Sequence, residues 1–211
     1  MNKRQGKGEA ALNEKFWDLN KIKQRSMIGG ALKVFARDGF RHASTDEIVL
    51  EAGISKGLLF HYFYNKTGLY EFLAEFCARF ALVELDSVTG KAGILPYFEL
   101  QRRITTAECA VMSRYPYLFL FLERAASDNS YENLEDVLSY TSLYTERRSA
   151  VLKESVLPQT MSPEDAGKIS RLLDLARKDA ALGFLEKGSF DPEGFTAGIK
   201  DLVNFFENMY K

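Results

Sequence analysis

Cysteine and histidine are scarce in this 211-residue chain, which carries only Cys77, Cys109, His42 and His61. Both cysteines sit inside apolar, helix-like patterns, where buried free thiols are the first reading, ahead of a disulfide or a metal ligand. Neither histidine has partners at a metal-binding or catalytic spacing, and His42 follows a helix end and reads as a surface residue. No GxSxG, HExxH, phosphate-binding loop or dinucleotide fingerprint occurs. No metal, cofactor or enzymatic chemistry is therefore expected. Apolar runs fall short of the roughly 18 residues that a membrane span requires. The opening MNKRQGKGEA is polar with no apolar stretch behind it, unlike a secretory signal, so a cytoplasmic chain without membrane contact is expected. Strand-period alternation and internal repeats are missing as well. What these absences leave is an all-α chain.

What is present supports a core: 46% hydrophobic residues and 13% aromatics. Charge is unevenly placed. Residues 1 to 70 carry 12 Lys and Arg against 7 Asp and Glu, and the remainder carries 16 against 22. A basic first third on an acidic remainder suits a head that meets a polyanion.

The stretch from Ser44 to Tyr70, STDEIVLEAGISKGLLFHYFYNKTGLY, organises the rest. Ser44 and Glu47 have capping-box spacing. Ile48, Val49 and Ala52 give the first helix a core face, and Gly53 suits the left-handed position that closes it. Ser55 can cap a second helix over 56 to 63, and Asn65 a third. Two short helices around a tight turn form a helix-turn-helix, whose second helix enters the DNA major groove. Ser55, Lys56 and Gly57 open that helix: its free amides suit a phosphate, Gly57 has no side chain to obstruct one, and Lys56 is a mobile cation. Leu58, His61 and Tyr62 are expected to point outward, and Leu59 and Phe63 inward.

This stretch resembles the DNA-binding domain of the tetracycline-repressor (TetR) family. The carrying residues are Phe35, Gly39 and Phe40, then Thr45, Ile48, Ala52, Gly53, Ser55, Lys56, Gly57, Leu59, His61, Tyr62, Phe63 and Lys66, over residues 22 to 72. Leu58 stands where the family often has a small polar residue and Phe60 where it often has Tyr, so base preference does not carry over. The resemblance implies phosphate contacts from Thr45, Lys56, Tyr62 and Lys66, with Ser55 at the helix cap. It implies base-edge approach by Gly57, Leu58 and His61. On that reading Lys66→Ala flattens the salt dependence of binding.

The implied layout is a polar tail over 1–15, a three-helix head over 16–70 and a linking helix to about 88. A helical effector-binding and dimerisation body covers 71–211, for about nine helices in all. Thr89 to Gly93 is the expected boundary. The linking helix shows an apolar face of Leu69, Phe72, Leu73, Phe76, Phe80 and Val83. Body helices are expected over 95–114, 117–126, 131–156, 163–187 and 192–210. Pro116 and Pro158 break the pattern there, and Pro163 and Pro192 open the last two helices.

Phe98, Cys109, Met112, Tyr117, Phe121, Tyr140, Tyr144 and Arg147 are candidates to line an effector pocket, with plain core packing the alternative for each. Leu172, Ala176, Ala180, Leu202, Phe206 and Met209 are candidates for a two-fold interface, some of which must face the subunit's own core. Because one short recognition helix makes few contacts, a homodimer on a near-palindromic double-stranded operator is expected. The family likeness implies a repressor released by a small apolar or aromatic effector. The alternatives are an activator or corepressor-dependent regulator on the same fold, or a small-molecule-binding protein without DNA activity.

Overall fold

The computed structural model describes residues 13–90, 93–130, 134–187 and 189–211. Residues 1–12 of the expected tail, Lys91 and Ala92 of the expected boundary, and Gly188 lie outside these. Among the described residues the chain is helical, with a single isolated bridge between Pro96 and Val156.

The start of the head is divided between two elements. Residues Glu14–Asp18 form a 3₁₀ turn capped by Asn13, and α1 (Lys21–His42) starts afresh at Asn20, whose side chain accepts from the Ile22 amide at 2.8 Å. Asn13 also donates its amide to the Tyr62 carbonyl at 2.8 Å, so this end of the expected tail is built into the head. Inside α1, Gly39 adopts φ 71°, a conformation that glycine reaches without strain, and ends the regular helix there. Gly30 has a different reason: a Cβ at that position would sit 2.7 Å from the Ala52 amide nitrogen, so its absence lets α1 and α2 (Thr45–Ala52) touch.

α2 ends at Gly53, with φ 63° and ψ 38°. The Ser44–Glu47 capping box does not form: Ser44 makes no side-chain cap bond, and Glu47 is drawn to Arg37 on α1 instead. Ser55 and Asn65 do cap α3 (Lys56–Phe63) and α4 (Lys66–Thr89), accepting from the amides of Leu58 at 3.2 Å and Gly68 at 2.8 Å. Between them Tyr64 takes φ 60°, a conformation that costs a non-glycine residue about 1–3 kcal/mol. Phe16 fills the centre of the head, with ring contacts to Tyr62, Phe63 and Phe72 at 5.7, 5.1 and 5.6 Å.

α4 runs from the head into the body and buries Leu69, Phe72, Leu73, Cys77, Ala81 and Leu85. Val83, expected on that face, is 66% exposed, because two residues' rotation from Ala81 or Leu85 carries it to the far side. The body comprises α5 (Tyr97–Arg114), α6 (Leu118–Ser127), α7 (Leu134–Lys153), α8 (Pro163–Lys187) and α9 (Pro192–Asn208). α5 starts and α7 stops inside their expected limits for one reason. Val156 donates to the Leu95 carbonyl and accepts from the Tyr97 amide, both at 2.9 Å, which holds these segments extended. No helix among the described residues is long and apolar enough to cross a membrane.

An aromatic knot joins head to body. Tyr70 of α4 meets Phe35 at 5.0 Å, Phe40 at 5.1 Å and Phe121 of α6 at 5.2 Å. Beside it, the Asp128 carboxylate at the end of α6 accepts from the Phe40 amide at 2.6 Å. Gly39 makes room for this approach, since a Cβ there would lie 2.8 Å from Asp128 Oδ2.

Candidate nucleic-acid interface and effector cavity

α3 presents its N-terminal tip to solvent. Ser55, Lys56, Gly57 and His61 are exposed, and a Cβ at Gly57 would meet nothing within 4 Å. A phosphate-like anion can therefore approach these amides directly, and the partial positive charge of a helix start favours it. Lys56 Nζ rests 2.8 Å from Asp46 Oδ1, an exposed pair that is weak and easily exchanged for a phosphate. Thr45, the first residue of α2, is half-buried.

Three expectations for this face change. Tyr62 does not point outward: its ring is buried against Phe16 and edges onto His61 at 4.8 Å. Leu58 is half-buried and packs on the core. Lys66 is turned inward, its ammonium 2.8 Å from the Phe40 carbonyl and 3.3 Å from that of Ala43, and 4.7 Å above the Phe40 ring. It closes the carbonyl end of α1 and so serves the head's architecture. Tyr64, exposed directly after α3, was not singled out from sequence; an ordinary aromatic letter carries no sign of a positive φ.

A cavity of about 1060 Å³ opens between α5, α6, α7 and α8, with Phe195 of α9 at one side. Of the eight candidates, Met112 and Tyr144 line it, joined by Phe119, Leu120, Leu122 and Leu138. The others lie elsewhere. Phe98 packs on Tyr97 at 5.2 Å and Tyr210 at 6.4 Å. Cys109 donates to the Pro192 carbonyl at 3.5 Å, and Phe121 belongs to the head–body knot. Tyr117 is half-buried at the start of α6, outside the cavity lining. Tyr140 faces α4, where burial and then Glu75 push its hydroxyl pKa up. Arg147 pairs with Asp86 at 3.0 Å on the outside.

The cavity's polar side was not foreseen. Glu108 and Arg177 have side chains only 5% and 9% exposed, with Arg177 Nε 2.7 Å from Glu108 Oε2. Tyr144 donates to Glu108 Oε1 at 2.8 Å; burial, and then that carboxylate, push the phenol well above its usual pKa. Arg148 reaches Glu108 at 3.2 Å and Asp174 at 2.6 Å. Burial opposes the charge on Arg148, and these carboxylates outweigh it and hold its pKa raised. The partners that meet across helices sit 26 to 69 positions apart in sequence, and no local spacing links one helix's members to another's.

On the outer faces of α8 and α9, Leu172, Leu182, Leu202, Phe205 and Met209 are exposed. Leu172, Leu202 and Met209 were expected there. Ala176, Ala180 and Phe206 are half-buried against their own subunit. Among the described residues, no group of three or more His, Cys, Asp or Glu is placed to hold a metal ion.

Residues 28–73 match the family model described as "Bacterial regulatory proteins, tetR family". An HTH-type transcriptional regulator of Mycobacterium tuberculosis strain H37Rv is 28% identical over 114 residues, 53% of this chain; the match spans about half (48%) of that relative's length. A TetR family regulator from Chloroflexus aurantiacus J-10-FL superposes with a TM-score of 0.60 at 18% identity, covering 93% of this chain and 97% of that one. FadR from Bacillus subtilis, solved in complex with stearoyl-CoA, superposes with a TM-score of 0.55 at 14% identity, covering 84% and 96%. At these identities the solved structures speak to fold.

Proposed function

Residues 28–73 match the tetR family of bacterial regulatory proteins, and from that premise we propose that the chain is an effector-responsive transcriptional repressor of that family, acting as a homodimer on a near-palindromic operator. One observation carries this reading. The same segment that matches the family presents an unobstructed, cation-tipped helix start at Ser55, Lys56 and Gly57. Lys56 and Thr45 meet phosphates, and Gly57 and His61 face base edges. Leu58 offers its partly exposed side to a thymine methyl. The exposed apolar faces of α8 and α9 pair two subunits, so that two recognition helices reach successive major grooves.

The cavity is the effector site in this reading. α6 is the mechanical link, because Phe119, Leu120 and Leu122 face the cavity while Asp128 at its end grips Phe40 of the head. An effector that binds better to a conformation with displaced heads draws the population off DNA, by no more than its difference in affinity for the two states. Nothing in this scheme calls for catalysis.

The experiment is a fluorescence-anisotropy titration of the full chain against the DNA upstream of its own gene, with a promoter reporter run alongside. Tight binding to a two-fold site together with lowered reporter output supports the proposal. Affinity no better than for random duplex overturns it, and raised reporter output overturns the repressor part.

A further inference from the structure

The cavity holds more charge than an apolar chamber needs, and that charge is spent internally. Glu108, Arg148, Asp174 and Arg177 close a ring across α5, α7 and α8. Glu108 takes Arg148 at 3.2 Å on one oxygen and Arg177 at 2.7 Å on the other; Asp174 takes Arg148 at 2.6 Å and Arg177 at 3.1 Å. The far branch of Arg177 is held by Gln101 at 3.2 Å and Thr105 at 3.3 Å. At the rim Lys178 pairs with Glu123, and Arg171 and Glu135 add one charge of each sign. The lining thus carries four cations and four anions and sums to zero.

We infer that the cavity takes an uncharged amphiphile, a long apolar body with one neutral oxygen-bearing head such as a hydroxyl, ketone, ester or lactone, seated on the Arg148–Asp174 edge of this ring. The inference rests on the reading of the cavity as the effector site. A carboxylate or ammonium seated on the ring finds the counter-charges there already engaged. It must either stay unpaired in an apolar chamber or break a buried pair, and both are costly. A neutral oxygen needs only a hydrogen bond. Arg148 has five N–H groups and gives one to Glu108 and one to Asp174, which leaves donors for an incoming carbonyl or hydroxyl. Asp174, with its side chain 40% exposed, can accept from a hydroxyl in turn. Met112, Phe119, Leu120, Leu122 and Leu138 receive the apolar body. A volume of about 1060 Å³ lies at the upper end of pockets that enclose drug-sized molecules, so a long chain fits.

The test is isothermal titration calorimetry on the full chain at pH 7.5 with four decyl-chain probes, the neutral ones below their solubility limits and the ionic ones below their micellar concentrations: 1-decanol, methyl decanoate, decanoate and decylammonium. The two neutral probes are expected to bind at least tenfold tighter than the two ionic ones. Asp174→Asn leaves one cation unbalanced at the exposed edge of the ring and should improve decanoate at least fivefold relative to 1-decanol. Arg148→Gln should favour decylammonium in the same way, so the ranking follows the charge sum. Leu122→Trp narrows the chamber and should weaken binding of all four at least fivefold. Circular dichroism and melting curves verify that each variant is folded. An ionic probe that binds the parent chain as tightly as 1-decanol overturns the inference. So do an unchanged ranking in both charge variants, affinities that Leu122→Trp leaves unchanged, or failure of all four probes. Operator affinity is measured separately. A neutral probe that binds the cavity and leaves operator affinity unchanged defeats the effector reading while the ligand class stands.

Discussion

Lys56 and Lys66 are ten positions apart, share a charge and a family motif, and do different work. Lys56 holds an exposed carboxylate that a phosphate can replace, whereas Lys66 holds backbone carbonyls at the end of α1. Lys56→Ala is expected to lower the slope of log affinity against log salt by about one phosphate's worth, roughly 0.9, across all DNA sequences. The melting temperature should barely move. Lys66→Met should do the reverse, since stranding those carbonyls costs about 1–3 kcal/mol while the salt slope stays as it was. Anisotropy titrations between low and moderate salt, with thermal melts, separate the two; a lowered slope for Lys66→Met would restore it as a phosphate contact. The sequence marks both lysines as cations of a helix-turn-helix. It cannot say which is free, because that depends on where the Phe40 carbonyl lies after the kink at Gly39. The same limit applies to Tyr62, whose helical position faces outward only if Phe16 is elsewhere, and the 3₁₀ turn brings Phe16 onto it.

Among the elements, α6 touches both the cavity and the head. Its hold on the head runs through Asp128 and through the Tyr70 knot. Burial pushes the Asp128 carboxyl up. Hydrogen bonds from the Ser130 hydroxyl and from the Phe40 and Ser130 amides, with the charge of Arg124, overcome that and hold it below the usual aspartate range. Its folded pKa is lowered, so its stabilisation is complete above the unfolded value of about 3.9 and is lost as pH falls through the lower folded value. Asp128→Asn is therefore expected to be less stable than the parent chain near neutral pH by an amount that shrinks below about pH 4, as followed by urea unfolding between pH 3.5 and 7. A stability difference independent of pH would show that the carboxylate's charge plays no part. Gly39→Ala should be worse, because it meets both a positive φ and the 2.8 Å approach of Asp128. Helix limits were largely legible, since Ser55, Asn65, Gly53, Pro163 and Pro192 punctuate the chain by side-chain and backbone chemistry alone. The Ser44–Glu47 box was misleading because Arg37, ten residues before Glu47, offers that carboxylate an opposite charge. The cavity's polar ring was illegible, because Glu108, Arg148 and Arg177 meet only after three helices have packed.

At the scale of the whole molecule, the proposed dimer would have the apolar faces of α8 and α9 and the exposed tip of α3 serve a single geometry. A lone head on a half-site has few contacts, and a second head on the same duplex binds at high effective concentration, adding about 10²–10⁴ in apparent affinity. The apolar stretches of α8 and α9 were visible in sequence, but the division between inner and outer faces was not. Phe195, Ile199 and Val203 turn inward onto the subunit, whereas Phe205 and Met209 remain 61% and 64% exposed. Phe205→Glu should consequently leave the fold nearly unchanged, within about 0.5 kcal/mol for a surface position, while placing a charge in the proposed pairing face. Sedimentation velocity should show the parent chain as a dimer and this variant as a monomer at micromolar concentration. Its affinity for a full palindrome should fall about 100-fold or more while its affinity for an isolated half-site holds. A variant that stays dimeric would move the interface off α9. One that becomes monomeric yet keeps full operator affinity would show that the two heads do not act on one duplex together, and the two-fold operator would have to be abandoned.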